Sequence, residues 1–229
     1  MRVRSRHILQ DFDVALESLR ATVLMMASLA DRSLENAMKC LLDREENSCA
    51  LTITDEEEVD ALEKTIDCDG VHILNRFQPV AFDLRQVISA MRVGGNLERI
   101  ADQAVKIAER SAAVSSGPEL EEVSALGPMF LEAIALFRDS IRAYGDSDVA
   151  LARSLQARDV EIDEMNRQFI NGITLNMSNQ PERAADYVQL LFISRYLERV
   201  GDHAKNIGED AVYATEAEDI RHPKNVLAG

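Results

Sequence analysis

Residues 97–109 read Leu-Glu-Arg-Ile-Ala-Asp-Gln-Ala-Val-Lys-Ile-Ala-Glu, and residues 197–209 read Leu-Glu-Arg-Val-Gly-Asp-His-Ala-Lys-Asn-Ile-Gly-Glu. The two align without a gap at a shift of 100 residues, and 7 of the 13 positions are identical, where unrelated segments would share about one. Two amphipathic helices can match at the apolar positions 97, 100, 104 and 107 through periodicity alone. The acids at 98, 102 and 109 match as well, and periodicity gives no reason for that. The chain therefore carries an internal duplication.

Working outward from these segments gives the repeated unit. Upstream, apolar or small residues recur three and four apart at Leu9, Phe12, Leu16, Leu19, Val23, Met26, Ala30, Ser33, Ala37 and Leu41, with no Gly or Pro between them, which predicts one long helix with a bundle-type seam. A second helix begins after Asn47-Ser48, or after Thr54, where Thr54-Asp55-Glu56-Glu57 fits a capping box. Its seam is Val59, Leu62, Ile66, Ile73 and Phe77. Gln78-Pro79 breaks it, and a third helix runs from about Val80 to Ala113. Ser115-Ser116-Gly117-Pro118 then gathers linker residues in one place. Beyond it the pattern returns, with helices from about Leu120 to Tyr144, to about Met177, and to about Thr215, broken at Gly145-Asp146-Ser147 and Asn179-Gln180-Pro181. The expected fold is all-α, two tandem three-helix bundles over residues 1–114 and 121–229 joined by a linker at 115–120.

Composition agrees. In 229 residues, 46% hydrophobic content supplies a core, while 10 Gly and 5 Pro leave few tight turns for an all-β chain. A formal charge of −15 opposes duplex nucleic acid as a partner, because such binding draws its affinity from neutralising phosphates. Most of that charge sits in two windows: Asp43–Asp69 carries a net −9 and Asp202–Asp219 a net −5. Cys40, Cys49 and Cys68 are odd in number, lack C-x-x-C spacing, and follow no export signal, so a disulfide framework is not expected. The ten-residue apolar stretch Ala21–Ala30 is too short to span a bilayer. A soluble, cytoplasmic protein is expected.

On a helix, Glu98 and Asp102 are i and i+4, so their carboxylates share a face; Glu198 and Asp202 repeat the arrangement. Both pairs flank the apolar line Ala90, Val93, Leu97, Ile100, Ala104, Ile107 and its counterpart Leu190, Ile193, Leu197, Val200, Ala204, Ile207. The preceding helices offer companions, Glu56 and Asp60 in one half and Asp159 and Asp163 in the other. Like charges at this spacing destabilise a helix by about 0.2–0.5 kcal/mol when exposed and by more when half-buried, so something should offset them. Converging carboxylates without a second His ligand are hard oxygen donors, suited to Fe, Mn, Mg or Ca, with Zn also accommodated. The bland alternative is a solvated face on which Arg99 and Arg199 pair with neighbouring acids. His203, where the first repeat has Gln103, reads as a supporting or surface group rather than a ligand.

Taken together, Leu-Glu-Arg-Ile-Ala-Asp, Leu-Glu-Arg-Val-Gly-Asp-His, their hundred-residue spacing and the stretch Gln78-Pro79-Val80-Ala81-Phe82-Asp83-Leu84-Arg85 resemble the PhoU family of phosphate-signalling regulators over almost the whole chain. The resemblance implies two pseudo-symmetric three-helix bundles whose acidic motifs hold multinuclear iron or zinc clusters, another divalent cation being open. It implies negative regulation of phosphate uptake and phosphate-starvation signalling, through contacts with the ATPase subunit of a phosphate ABC transporter and a sensor histidine kinase. The protein would then meet the membrane only through these partners, with a homodimer left open. Carried over by position, the metal candidates are Glu98, Asp102, Glu198 and Asp202, with Asp60 and Asp163 from the neighbouring helices. Asp83 and Arg85 are candidate partner-binding residues, against the alternative that Asp83 caps the helix and Arg85 is merely exposed. The second half departs from the pattern at Gln180-Pro181-Glu182-Arg183-Ala184-Ala185-Asp186.

Two other functions fit the same residues. A carboxylate-bridged metalloenzyme of ferritin-like logic would use Glu-x-x-His pairs on facing helices, and neither motif contains one. No Gly-rich phosphate loop or redox Cys pair compensates, so no enzyme is expected. A metal-free helical scaffold remains the third reading.

Overall fold

The structure, a computed structural model, describes residues 2–221, and side chains from Gln10 onward. The periodic segments become six helices: α1 (Arg2–Leu42), α2 (Glu46–Phe77), α3 (Ala81–Ser115), α4 (Gly127–Asp146), α5 (Val149–Asn179) and α6 (Ala184–Glu216). Short 3-10 helices at Glu121–Leu126 and Pro181–Arg183 lead into α4 and α6, and no strand occurs among the described residues. Helices α1–α3 form one three-helix bundle and α4–α6 a second.

The breaks have local causes. Gln78 ends α2 in the left-handed region (φ 49°), its N–H returning to the Leu74 carbonyl, and Pro79 forbids continuation. Ser147 does the same for α4 (φ 56°). Asp148 caps α5 by accepting from the Leu151 N–H at 3.0 Å. The Thr54 capping box does not start a helix. Thr54 lies inside α2, its hydroxyl donating to the Ala50 carbonyl, and α2 begins at Glu46. Asp55, which a cap would leave at the surface, is buried and serves a tertiary role: Arg32 Nε and Nη2 donate to it at 3.0 and 2.5 Å, tying α1 to α2.

The α1 seam from Phe12 to Leu41 is buried except for half-buried Leu16; Leu9 lies outside the described side chains. Both six-residue lines on α3 and α6 are fully buried. One apolar cluster runs through all six helices, so the two bundles share a continuous core. The α3–α6 contact is the most extensive in the chain. The two helices cross antiparallel: Gln86 Nε2 donates to the Ala214 carbonyl at 3.1 Å near one end, and Arg110 Nη1 to Gln189 Oε1 at 2.9 Å near the other. The helices that carry the duplicated motif are therefore the ones that join the halves.

One covalent feature differs from expectation. Cys40 at the end of α1 and Cys49 in the first turn of α2 are disulfide-bonded, with Cα atoms 5.4 Å apart. The tight turn between the helices brings two cysteines nine positions apart within bonding reach, which spacing alone did not reveal. Cys68 is free and exposed.

Candidate metal centre

In the first half the acids of α3 lie beside those of α2. Glu98 and Asp102 occupy the rim of the buried Leu97–Ile100 line, with side chains 18% and 28% exposed. Burial pushes the Glu98 carboxyl above the usual carboxylate range; Arg99 opposes this, and Asp102, Glu63 and Asp60 add to it. Glu56 is raised for the same reasons, burial first and then Asp60 and Asp102. Glu63 is raised by burial and by Asp67 and Asp60. Five carboxylates on two neighbouring helices thus raise one another's proton affinity: Glu56, Glu63 and Glu98 respond to the charges among Asp60, Glu63 and Asp102.

The cations nearby sit at the edge. Arg99 Nε is 3.1 Å from Glu98 Oε2, and Lys106 Nζ donates to Asp102 Oδ2 at 2.8 Å from its own helix. The Arg99 approach lacks hydrogen-bond geometry, and Glu98 Oε2 is a buried oxygen without a hydrogen-bond partner. A partly buried carboxylate among four others is the kind of donor a multivalent cation takes, and the charge of such a cation would lower the raised pKa values of Glu98, Glu56 and Glu63. Among the described residues, however, no three His, Cys, Asp or Glu side chains converge as a finished metal site.

The second half uses its acids differently. Asp159 is buried, and Lys205 Nζ bridges it, at 2.5 Å to Asp159 Oδ2 and 2.9 Å to Asp202 Oδ1. Burial works against the Lys205 charge, but these hydrogen bonds overcome it and hold the ammonium well above the usual lysine range. Glu198 accepts from Asn166 Nδ2 at 2.9 Å and pairs with Arg195. Asp163 belongs to the same group, since its charge acts on both Glu198 and Asp159. The charges of Asp102 and Asp60 thus act on Glu98, and those of Asp202 and Asp163 on Glu198, though neither set converges as a three-ligand group among the described residues.

Three groups were missed or differ from the sequence reading. Glu63 was not singled out; it lies seven residues after Glu56, two helical turns along the same face, and that spacing could have found it. Glu109 shares the direction of Glu98 but lies about 16 Å further along the axis and is exposed, so it does not join the group. His203 is not on the surface. It is half-buried at the α3–α6 junction, Nδ1 lies 3.1 Å from Asn96 Oδ1, and burial lowers its pKa.

Asp83 and Arg85 lie in the first turns of α3. Asp83 makes no side-chain cap, because Val80 occupies the N-cap position without such a bond. Arg85 is half-buried rather than exposed, its guanidinium 5.8 Å from the centre of the exposed Phe82 ring and its Nε without a hydrogen-bond partner.

The PhoU domain model matches residues 23–111 and again 126–211, one copy on each bundle. The chain belongs to the PhoU family. A phosphate-specific transport system accessory protein PhoU homolog of Pseudomonas putida is 31% identical over 222 residues, covering 95% of this chain and 86% of that protein. One from Xylella fastidiosa is 28% identical, covering 95% and 92%. A crystal structure of PhoU from Pseudomonas aeruginosa superposes with a TM-score of 0.88 at 27% identity, covering 90% of this chain and all of that one. The matched PhoU repeats contain both Glu-Arg-x-x-Asp segments. Among the described residues, no helix is long and apolar enough to cross a membrane.

Proposed function

We propose that this chain is a non-enzymatic accessory regulator of phosphate-specific transport that keeps phosphate-starvation signalling off when phosphate is plentiful. The observation that carries the reading is the match of the PhoU domain to both bundles, together with relatives named as accessory proteins of phosphate-specific transport. The partners in this reading are the ATPase subunit of a phosphate ABC transporter and a sensor histidine kinase, reached in the cytoplasm. Asp83, Arg85 and the exposed Phe82 ring form the surface offered to them.

The same reading assigns a divalent cation or a multinuclear iron or zinc cluster to the acid motifs, with Glu98, Asp102 and Asp60 as principal ligands and Glu56 and Glu63 beside them. The cation would supply positive charge where five carboxylates crowd, cross-linking α2 to α3. That Glu98 Oε2 is buried without a hydrogen-bond partner, although Arg99 Nε lies 3.1 Å away, supports this. The metal-free alternative draws on the contacts of Arg99 and Lys106 with the same acids.

Two measurements test the proposal. Deleting the gene should leave a phosphate-starvation reporter switched on in phosphate-rich medium; a reporter that stays off rejects the regulatory role. E98Q/D102N should lose bound metal while retaining its helical circular dichroism, and stoichiometric metal surviving in that variant rejects the site.

A further inference from the structure

The turn that joins α1 to α2 is closed covalently and reaches across to the linker between the bundles. Cys40 and Cys49 are bonded around it, and Arg44 within it sits in the left-handed region (φ 55°), a conformation that a residue with a Cβ adopts at a cost. From there Arg44 Nη2 donates to the Ser115 carbonyl and, at 2.6 Å, to the Gly117 carbonyl. Arg183 holds two further linker carbonyls from the second bundle, those of Pro118 at 2.9 Å and Glu119 at 3.1 Å. The linker is thus strapped from both sides, and the strap from the first half hangs on the ring that the disulfide closes.

We propose that Cys40–Cys49 is a site of reversible exchange with thiol reductants, and that its reduction loosens Arg44 from the linker. The inference takes from the regulatory reading only a reducing cytoplasm, where disulfides are as a rule transient and redox-sensing. The sulfurs differ in access. Cys40 is buried and Cys49 half-buried, and a cleft of about 270 Å³, which both line together with Arg44 and Ser115, opens onto them. A thiolate of the reductant therefore attacks Cys49 Sγ, the S–S bond breaks, and Cys40 leaves as a thiolate and takes up a proton. A second reductant thiol then attacks the reductant's sulfur in the mixed disulfide, frees Cys49 as a thiol and leaves the reductant oxidised to its own disulfide. Two electrons pass to the cysteine pair, with one proton to each sulfur. The reduced form is provided for, because Cys40 Sγ lies 3.6 Å from the Ala108 carbonyl oxygen and Cys49 Sγ 3.9 Å from that of Glu45, so each thiol has an acceptor in place. Cys68, roughly 28 Å further along α2 at about 1.5 Å per residue, is too far away to take part.

The test equilibrates the purified full chain in reduced and oxidised glutathione at graded ratios. Samples are acid-quenched and alkylated, free thiols are counted by mass spectrometry, and hydrogen exchange at residues 115–117 is read beside circular dichroism. Oxidised protein should alkylate at Cys68 alone and reduced protein at Cys40 and Cys49 as well, interconverting reversibly with the helical signal unchanged. The amides of Ser116 and Gly117 should exchange about fivefold faster in the reduced form, the net worth of roughly one hydrogen bond. R44M should show that faster exchange while still oxidised, with no further change on reduction, and C40S/C49S should show it without reductant. A bond that resists reduced glutathione until urea unfolds the chain overturns the exchange site. So does a cysteine pair that stays reduced in oxidised glutathione. Equal exchange at residues 115–117 in the oxidised and reduced forms overturns the coupling to the linker. If C40S/C49S does not fold, wild type and R44M still decide. None of these failures touches the regulatory reading, which the starvation reporter tests separately.

Discussion

Replacing Asp210 by Asn should stabilise the protein at neutral pH, an unusual outcome for removing one partner of an ion pair. Asp210 is 4% exposed at the α3–α6 junction, and Arg92 Nη1 reaches its Oδ1 at 3.4 Å, a long contact from a side chain that also lies over the Tyr213 ring at 5.1 Å. Burial outweighs Arg92 and pushes the Asp210 carboxyl from the ordinary 3.8 to about 6. A folded-state pKa above the unfolded one makes the folded chain the better proton binder. This group therefore adds stability as pH falls through about 6 toward 4, and above 6 its buried charge costs about 3 kcal/mol. Asn keeps the shape and an oxygen acceptor for Arg92 without the charge. D210N should gain up to about 3 kcal/mol at pH 7.5, and roughly 1.5 kcal/mol at pH 5, where much of the wild-type carboxyl is already protonated. Urea unfolding followed by circular dichroism at the two pH values measures both quantities. A D210N protein less stable than wild type at pH 7.5, or a difference that does not shrink on acidification, would mean that the Arg92 attraction exceeds the desolvation cost.

Three further outcomes are expected. G208A should cost about 1–3 kcal/mol, because a Cβ at Gly208 would lie 2.5 Å from Leu155 Cδ1 and 3.3 Å from the Ala152 carbonyl oxygen, in the tight α5–α6 contact; thermal unfolding reads it, and a neutral effect would mean that Leu155 can move aside. R32M should cost about 2–3 kcal/mol, below the usual penalty for a broken buried pair because Arg32 is more than half exposed, while R32M/D55N should recover much of the loss by removing the stranded carboxylate. C40S/C49S should lose about 2–3 kcal/mol relative to the oxidised protein, the loop between the cysteines being short. Equal urea midpoints with and without reductant would show that the bond contributes nothing to stability.

The fold was legible because each helix buries a continuous apolar line, and such a line survives in sequence as a three-and-four spacing. The helix ends were legible where the chain must take an unusual conformation, as at Gln78-Pro79 and Asn179-Gln180-Pro181. Thr54 misled because a capping box is a local pattern, whereas Asp55 is committed to Arg32, a residue 23 positions away on another helix. The acids of α3 and α6 were legible from their repetition, and those of α2 and α5 only from their spacing. What stayed hidden was pairing across helices. Lys205 read as one mismatch among six in the aligned segments, and nothing in the sequence places its ammonium between Asp159 and Asp202. The Cys40–Cys49 bond was hidden for the same reason, since it depends on how α2 folds back along α1.

The packing of α3 on α6 explains why the two copies had to diverge. Under the hundred-residue shift, the pair formed by positions 92 and 210 becomes the pair formed by 192 and 110, so the two ends of the junction are related by the internal symmetry. Arg92 meets Asp210 and the Tyr213 ring at one end, and Arg110 lies 4.7 Å over the Phe192 ring at the other. Both cations come from α3, and both rings and the acid come from α6. Two copies of the first half joined in this way would set Arg92 against Arg110, a like-charge contact. Two copies of the second half would set Phe192 against Asp210, leaving a carboxylate against an aromatic face. Only the first half on the second satisfies both ends at once. The halves are complementary rather than identical, and that complementarity selects their pairing within one chain over the self-pairings that an exact duplicate would equally allow.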